Sequence, residues 1–210
     1  MIEQLAHPLG PAQLQLLADR AVYWPAQAML LLADLHLGKG DVFRRQGIAV
    51  PRGGTVRDLE RLDRLLAHTG AQRLLLLGDV VHGAVHPAPW LAQWLAWRQR
   101  HAGLLLQAVR GNHDRALQRD ALGIQMLGEG IEIAGLWLCH EPGQDGRPTV
   151  CGHVHPVVRL PGLARALPVF WQQGAQLVLP AFSAFTGGWP VKPGADATLV
   201  ACNGEQLLRL

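Results

Sequence analysis

Arg73-Leu74-Leu75-Leu76-Leu77-Gly78-Asp79-Val80-Val81-His82-Gly83 decides the fold. Four leucines running straight into Gly-Asp are the pattern of a short strand buried on both faces, as found inside layered α/β domains. Gly78 ends the run and lets the backbone turn. Asp79 is thereby delivered to the end of a dry strand, where a lone carboxylate is costly unless a cation faces it.

The same event recurs on either side. Ala21–Trp24 and Ala28–Ala33 read as a hairpin of strands around Pro25-Ala26-Gln27, and the second runs into Asp34-Leu35-His36-Leu37-Gly38-Lys39. If the strand conformation persists there, Asp34 and His36 point to one side. Leu104 to Arg110 is another buried-type strand, ending in Gly111-Asn112-His113-Asp114. Glu132–His140 reads as one strand, closing on His140-Glu141-Pro142, and Thr149–Cys151 leads into Gly152-His153-Val154-His155. Strand ends along one sheet edge converge in space, so two Asp, one Asn and five His are expected to meet there. Imidazole and carboxylate without thiolate suit Mn, Fe, Zn, Co or Ni. The set is too large for one tetrahedral ion and fits two ions sharing a carboxylate. Any one of these histidines alone reads better as an ordinary core or surface residue; the five blocks in order do not.

Between these blocks, Asp41 to Gly54 reads as a loop carrying Arg44, Arg45 and Arg52. Thr55 to His68 reads as a helix with an apolar stripe of Leu59, Leu62 and Leu66, stopped by Gly70. Its arginines, Arg57, Arg61 and Arg64, are interleaved with acids, which favours a solvated face over a nucleic-acid patch. Pro89 to His101 reads as a second helix with Trp90, Trp94 and Trp97 on one face. That face serves either as core, the preferred reading, or as an interface with a partner or a second copy in a homodimer. Arg115–Ala121 suggests a short helix, and short strands dominate beyond it. Helices early and strands late indicate a layered α/β domain with two sheets, residues 1–210 forming a single domain.

The bulk composition agrees. The 210 residues are 49% hydrophobic and 17% charged, enough for a core and too few charges for a disordered chain. No run approaches the roughly 18 apolar residues of a membrane span. The start lacks a basic flank and apolar signal core, so a cytoplasmic location is expected. Cys139, Cys151 and Cys202 are odd in number and show no CxxC spacing, which favours buried free thiols over disulfides or a thiolate zinc site. The net charge of +3 permits a phosphate-bearing partner without requiring one.

Asp34-x-His36, Gly78-Asp79, Gly111-Asn112-His113-Asp114, His140 and Gly152-His153-x-His155 together resemble the signature of the calcineurin-like metallophosphoesterases, each block intact. The resemblance implies a four-layer αββα sandwich with two mixed β-sheets and a dinuclear centre. It implies Asp34, His36, Asp79 and His155 on one metal, and Asp79, Asn112, His140 and His153 on the other, with Asp79 bridging. His113 is implied as the catalytic histidine, close to the metals and not bound to them. Two divalent ions against two carboxylates leave a positive surplus that attracts a phosphate. A metal-bound water ionises near neutrality to a hydroxide nucleophile, and an imidazole can protonate the leaving oxygen.

Two details narrow the branch. Asp34-Leu35-His36-Leu37-Gly38-Lys39 is similar to the opening block of the double-strand-break repair nuclease subunits. His82 stands where the phosphoprotein phosphatases carry Asp and the repair nucleases carry His. It buttresses His113, touches the scissile phosphate, or is a solvated loop residue. Phe43-Arg44-Arg45, His140-Glu141-Pro142 and Pro180–Gly188 resemble a compact bacterial group, the ligase-associated DNA damage response endonucleases (PdeM-like). That resemblance implies DNA as substrate, Mn²⁺ as first choice of metal with Fe, Zn and Co open, and a functional link to a DNA ligase and helicase. Lys39, Arg44 and Arg45 are the expected substrate-binding residues. A small-molecule phosphoesterase acting on nucleotides or cyclic diesters is the alternative.

Overall fold

The computed structural model describes residues 2–83, 85, 87–114, 122–192, 194 and 196–210. Arg115–Ala121, read above as a short helix, lies outside the described residues.

The first sheet is laid down in chain order: β1 (Gln4–Leu9), β2 (Ala12–Leu17), β3 (Ala21–Trp24), β4 (Met29–Leu32), β5 (Arg73–Leu77), β6 (Leu105–Val109) and β7 (Gln125–Met126). The strands from β1 to β4 are antiparallel neighbours. From β4 to β7 the pairing is parallel, so the carboxyl ends of β4, β5 and β6 share one edge. The second sheet contains β8 (Gly130–Ile133), β9 (Leu136–Cys139), β10 (Thr149–Cys151), β11 (Pro156–Val158), β12 (Leu167–Gln173), β13 (Gln176–Val178), β14 (Trp189–Pro190), β15 (Ala197–Cys202) and β16 (Leu207–Arg209). Its order is β14-β11-β12-β13-β10-β9-β8, with β15 joining β12 to β16, and it is also mixed.

The four leucines of β5 are all fully buried and divide between two cores. Leu74 and Leu76 face the helical layer, where Leu59, Leu62, Leu65 and Leu66 of α2 (Gly54–Thr69) and Trp90, Trp94 and Trp97 of α3 (Pro89–Arg100) meet them. Leu75 and Leu77 face the second sheet, against Leu138, Val150, Leu177 and Leu179. Each leucine so buried contributes about 2 kcal/mol. This alternation is the physical content of an unbroken apolar strand.

The tryptophan face is therefore core. Trp94 Nε1 donates to the Leu122 carbonyl at 2.9 Å and Trp97 Nε1 to Asp63 at 2.6 Å, which leaves this face unavailable to a second copy of the chain. All three cysteines are free and buried, as expected.

The two mixed sheets match the expected fold class, with three differences in detail. The implied second helical layer is not represented among the described residues; Val158, Val169, Val191, Leu199 and Ala201 instead form a small apolar cluster of the second sheet. Lys39–Arg45, placed mainly in a loop above, is a short helix, α1, too brief for periodicity to reveal. Glu132–His140 is two strands rather than one, because Ala134 and Gly135 take positive φ (44° and 79°) and fold β8 against β9 as a hairpin. No helix among the described residues is long and apolar enough to cross a membrane.

Candidate metal centre

The strand ends deliver the ligand-type side chains in turn: Asp34 and His36 follow β4, Asp79 follows β5, Asn112 and His113 follow β6, His140 follows β9, and His153 and His155 follow β10. The backbone there is unusual. Asp34 (φ 56°), His36 (47°), Asp79 (47°), His153 (69°) and His155 (52°) are all left-handed, a region that costs a residue with a Cβ about 1–2 kcal/mol. Such strain persists only where surrounding contacts hold it, and it concentrates at functional sites. Here the holders are visible. His36 N–H donates to the Asp79 carbonyl at 2.8 Å, Leu37 N–H to the Val80 carbonyl at 2.8 Å, and Ser183 N–H to the Asp34 carbonyl at 3.2 Å. Strand conformation does not persist through Asp34 and His36; left-handed turns, not strand alternation, bring them together.

Two glycines make the crowding possible. A Cβ at Gly78 (φ 74°) would lie 2.3 Å from His140 Nδ1, and one at Gly111 would lie 2.1 Å from the Asp79 backbone nitrogen. Gly78→Ala is expected to displace the His140 ring and lower metal content, with a stability loss of about 1–3 kcal/mol from the strained backbone. Urea unfolding and metal analysis of the purified variant check both; unchanged metal content would show that His140 is not held by this contact.

The cluster holds several buried polar atoms that lack partners. Asp34 Oδ1, both ring nitrogens of His36 and His155 Nε2 are buried without a hydrogen-bond partner. Asp34 Oδ1 and His155 Nε2 are 3.2 Å apart. His155 Nδ1 lies 3.3 Å from the Gly187 carbonyl and His140 Nδ1 3.0 Å from the Leu77 carbonyl. With Nδ1 of each ring facing a carbonyl oxygen, Nε2 is the nitrogen turned inward. Around His140 Nε2 stand the Asn112 amide oxygen at 3.1 Å, His153 Nδ1 at 3.1 Å and Asp79 Oδ1 at 3.6 Å. With the Asn112 amide turned over, its nitrogen donates to Asp79 and to His140 Nε2, so the side chain sits against both in either orientation. Burial, with Lys39 and the neighbouring histidines, pushes His36 down to about 2, so its imidazole is neutral and able to ligate at any working pH. Two groups have metal-ligating geometry, Asp34 with His36 and His155, and Asp34 with Asp79 and His140. Asp79 reaches towards both sides: Oδ2 is 3.9 Å from His36 Nε2, and Oδ1 faces His140. Asp34 approaches His140 only at Nδ1 (3.9 Å), the nitrogen already used by Leu77. The residues present thus fit divalent ions.

His113 lies at the edge, its Nε2 3.9 Å from Asp79 Oδ2 and its backbone N–H donating to Asp79 Oδ1 at 2.9 Å. His82 is half-buried and packs in a cluster of rings: 5.0 Å from His113, 5.3 Å from His36 and 6.0 Å from Phe43 between centroids. Of the three readings of His82, the solvated loop residue does not fit this packing. Burial, then the Lys39 and His113 charges, holds its imidazole below the ordinary histidine range. Lys39 is lowered by burial, while Asp34 and Asp79 oppose the shift.

Three clefts open from this centre. The first, about 470 Å³, is lined by His36, Lys39, Arg44 and Arg52, with Asp41 and Asp58. Arg44 pairs with Asp41 there. Arg45 does not line it. The second, about 560 Å³, holds Asn112 and His140 among Glu129, Glu141 and Asp145, with Arg110 and Arg147 opposite them. The third, about 390 Å³, borders His155.

Sequence reasoning passed over several residues that hold the centre in place. Asp114 accepts from the backbone N–H of Gly111 (2.9 Å) and Val81 (3.2 Å), tying the Asn112-His113 turn to the Asp79 turn. Arg61, taken above as part of a solvated row, turns inward: it pairs with Asp58 at 3.3 Å, stacks on Phe182 at 3.9 Å and donates to the Phe182 carbonyl. It thereby anchors Ala181–Gly188, the segment whose backbone holds Asp34 and His155. The i, i+3 spacing of Asp58 and Arg61 was the one local signal.

Comparison with known proteins agrees with this geometry. The family described as calcineurin-like phosphoesterase matches residues 29–163, a span that takes in every strand end of the centre. The chain belongs to that family. The phosphoesterase is similar over 100% of its length to 100% of the nuclease MPE of Pseudomonas putida, at 38% identity with a TM-score of 0.85. A second similar structure is YfcE, a phosphoesterase from E. coli, at 22% identity over 82% of this chain and 86% of that one, with a TM-score of 0.47. No curated protein sequence matches the chain. The protein is a metal-dependent phosphoesterase, a hydrolase with a built metal-binding cluster.

Proposed function

We propose that this phosphoesterase is a two-metal phosphodiesterase that cuts nucleic acid, acting as a DNA endonuclease in repair. The observation that carries this reading is the set of buried polar atoms without hydrogen-bond partners at Asp34, His36 and His155, with His36 opening onto a cleft bordered by Lys39, Arg44 and Arg52. The similarity to a chain described as a nuclease supports the substrate class. Mn²⁺ is the first candidate metal, with Fe, Zn and Co the alternatives the ligand types allow. The cytoplasm and a functional link to a DNA ligase and helicase are the setting the family resemblance implies.

Asp34, His36, Asp79 and His155 would hold one ion, and Asp79, Asn112, His140 and His153 the other. Divalent ions held there supply Lewis acidity, activating water and neutralising charge on the phosphoryl oxygens. The protein supplies position. Left-handed backbone at five ligand residues, pinned by hydrogen bonds from neighbouring loops, fixes the donor atoms before substrate arrives. His113, at the solvent edge and tied through its N–H to Asp79, protonates the leaving oxygen. His82 packs on the His113 ring and limits its rotation. Lys39 and Arg44 attract the phosphate from the first cleft.

The test is hydrolysis by the Mn²⁺-loaded protein of single-stranded and nicked DNA beside bis-p-nitrophenyl phosphate. Cleavage of both is expected. Hydrolysis of the small diester without any DNA cleavage would remove the nuclease half of the proposal and leave a small-molecule phosphodiesterase.

A further inference from the structure

The third cleft differs from the other two. Arg20, Arg159 and Arg165 line it, and among the described residues no Asp or Glu does. Each of the other clefts carries two or more carboxylates. Arg20 is held at its floor by contacts to the carbonyls of Ala181 (3.4 Å) and Ser183 (3.5 Å), while Arg159 and Arg165 are exposed. His155 belongs both to this cleft and to the candidate ligand cluster, so the cleft begins at the reacting centre. Adjoining it along the chain, though not among its lining residues, is Trp189, 68% exposed, more than any other large hydrophobic side chain described. Its neighbours Gly188 and Pro190 line the cleft, and its backbone N–H donates to the His155 carbonyl at 2.9 Å. An indole left in water next along the chain to an arginine-lined cleft has no use in a site taking only a compact phosphate and is useful to one taking a strand, because bases stack on aromatic faces while guanidinium groups track the backbone.

We infer that this cleft binds the polynucleotide on one side of the scissile bond, with Arg159 and Arg165 on backbone phosphates and Trp189 stacked on an unpaired base. This rests on the nuclease reading above. The strand would enter past Lys39, Arg44 and Arg52 and leave past His155, avoiding the acid-bearing second cleft. Phosphate contacts of this kind carry no sequence information and weaken steeply with salt.

The experiment compares the wild type with Arg159→Ala/Arg165→Ala and with Trp189→Ala. It measures fluorescence-anisotropy binding of a labelled oligothymidylate over a salt series, and Mn²⁺-dependent cleavage of that oligonucleotide and of bis-p-nitrophenyl phosphate. Each variant is expected to bind the oligonucleotide about tenfold more weakly, and the double variant to lower the salt slope by about 1.4, two single-strand phosphate contacts. The loss should appear in KM for the oligonucleotide, well beyond any change on the small diester. Wild-type cleavage of DNA with unchanged KM and salt slope in both variants overturns the cleft assignment and leaves the nuclease reading standing. A wild type that neither binds nor cuts the oligonucleotide overturns both. Equal losses on the oligonucleotide and the small diester would mean that the variants disturb the metal centre through His155, and would also overturn the assignment.

Discussion

Asp79→Asn is expected to leave less than one equivalent of metal per chain and to lower turnover at least about a thousandfold, the several kcal/mol that a lost Lewis-acid site represents. The side chain is buried, and its two oxygens point different ways: Oδ1 towards His140 Nε2 and the His113 N–H, Oδ2 towards His36 and His113. Asparagine preserves the shape, removes the negative charge and places an amide nitrogen among lone pairs. Metal analysis of the purified variant reads occupancy directly. Thermal unfolding after chelation separates this from damage to the fold: without metal, the variant should unfold no earlier than the wild type, since a buried uncompensated carboxylate has been removed. Two full equivalents of metal in Asp79→Asn would contradict the bridging role.

His113→Ala is expected to separate the two readouts, keeping metal while losing turnover. The backbone N–H that donates to Asp79 survives the substitution, and the ring lies at the solvent edge with 47% of its side chain exposed. Both metals should stay. Turnover on DNA should fall about 10²- to 10⁴-fold, the usual share of a positioned general acid. p-Nitrophenolate leaves without needing a proton, so the loss on bis-p-nitrophenyl phosphate should be much smaller. Equal losses on the two substrates would assign His113 to phosphate binding instead of proton transfer, and loss of metal would make it a ligand.

The chemistry-bearing residues were readable because each is local in sequence to the strand that carries it. An apolar run followed by Gly-Asp, Gly-Asn-His or Gly-His-x-His can be seen without knowing what lies opposite, and the same runs announced two-sided burial of β5. Boundaries that depend on a single turn of backbone were less legible: Ala134-Gly135 splits a nine-residue stretch into a hairpin, and α1 is too short to show a period. The mixed antiparallel start of the first sheet, β1 and β2, went unread; its burial alternates along Ala12, Leu14 and Leu16.

By itself, then, the sequence determined the fold class, the side-chain types that gather at the candidate centre and the order in which strand ends supply them, because apolar patterning and residue chemistry are properties of short segments. Tertiary structure alone decided that Asp34 and His36 meet through left-handed backbone, that Arg61 turns inward to anchor the segment holding Asp34 and His155, and that the tryptophan face is core. It alone assembled a cleft from Arg20, His155, Arg159 and Arg165. Those facts depend on which distant segments pack together, and neither periodicity nor motif spacing encodes a contact between residues 20 and 165. Asp79 stands on both sides of this division: the leucines before it announced a buried carboxylate in need of a cation, and only the packed strand ends showed a different set of imidazoles facing each of its oxygens.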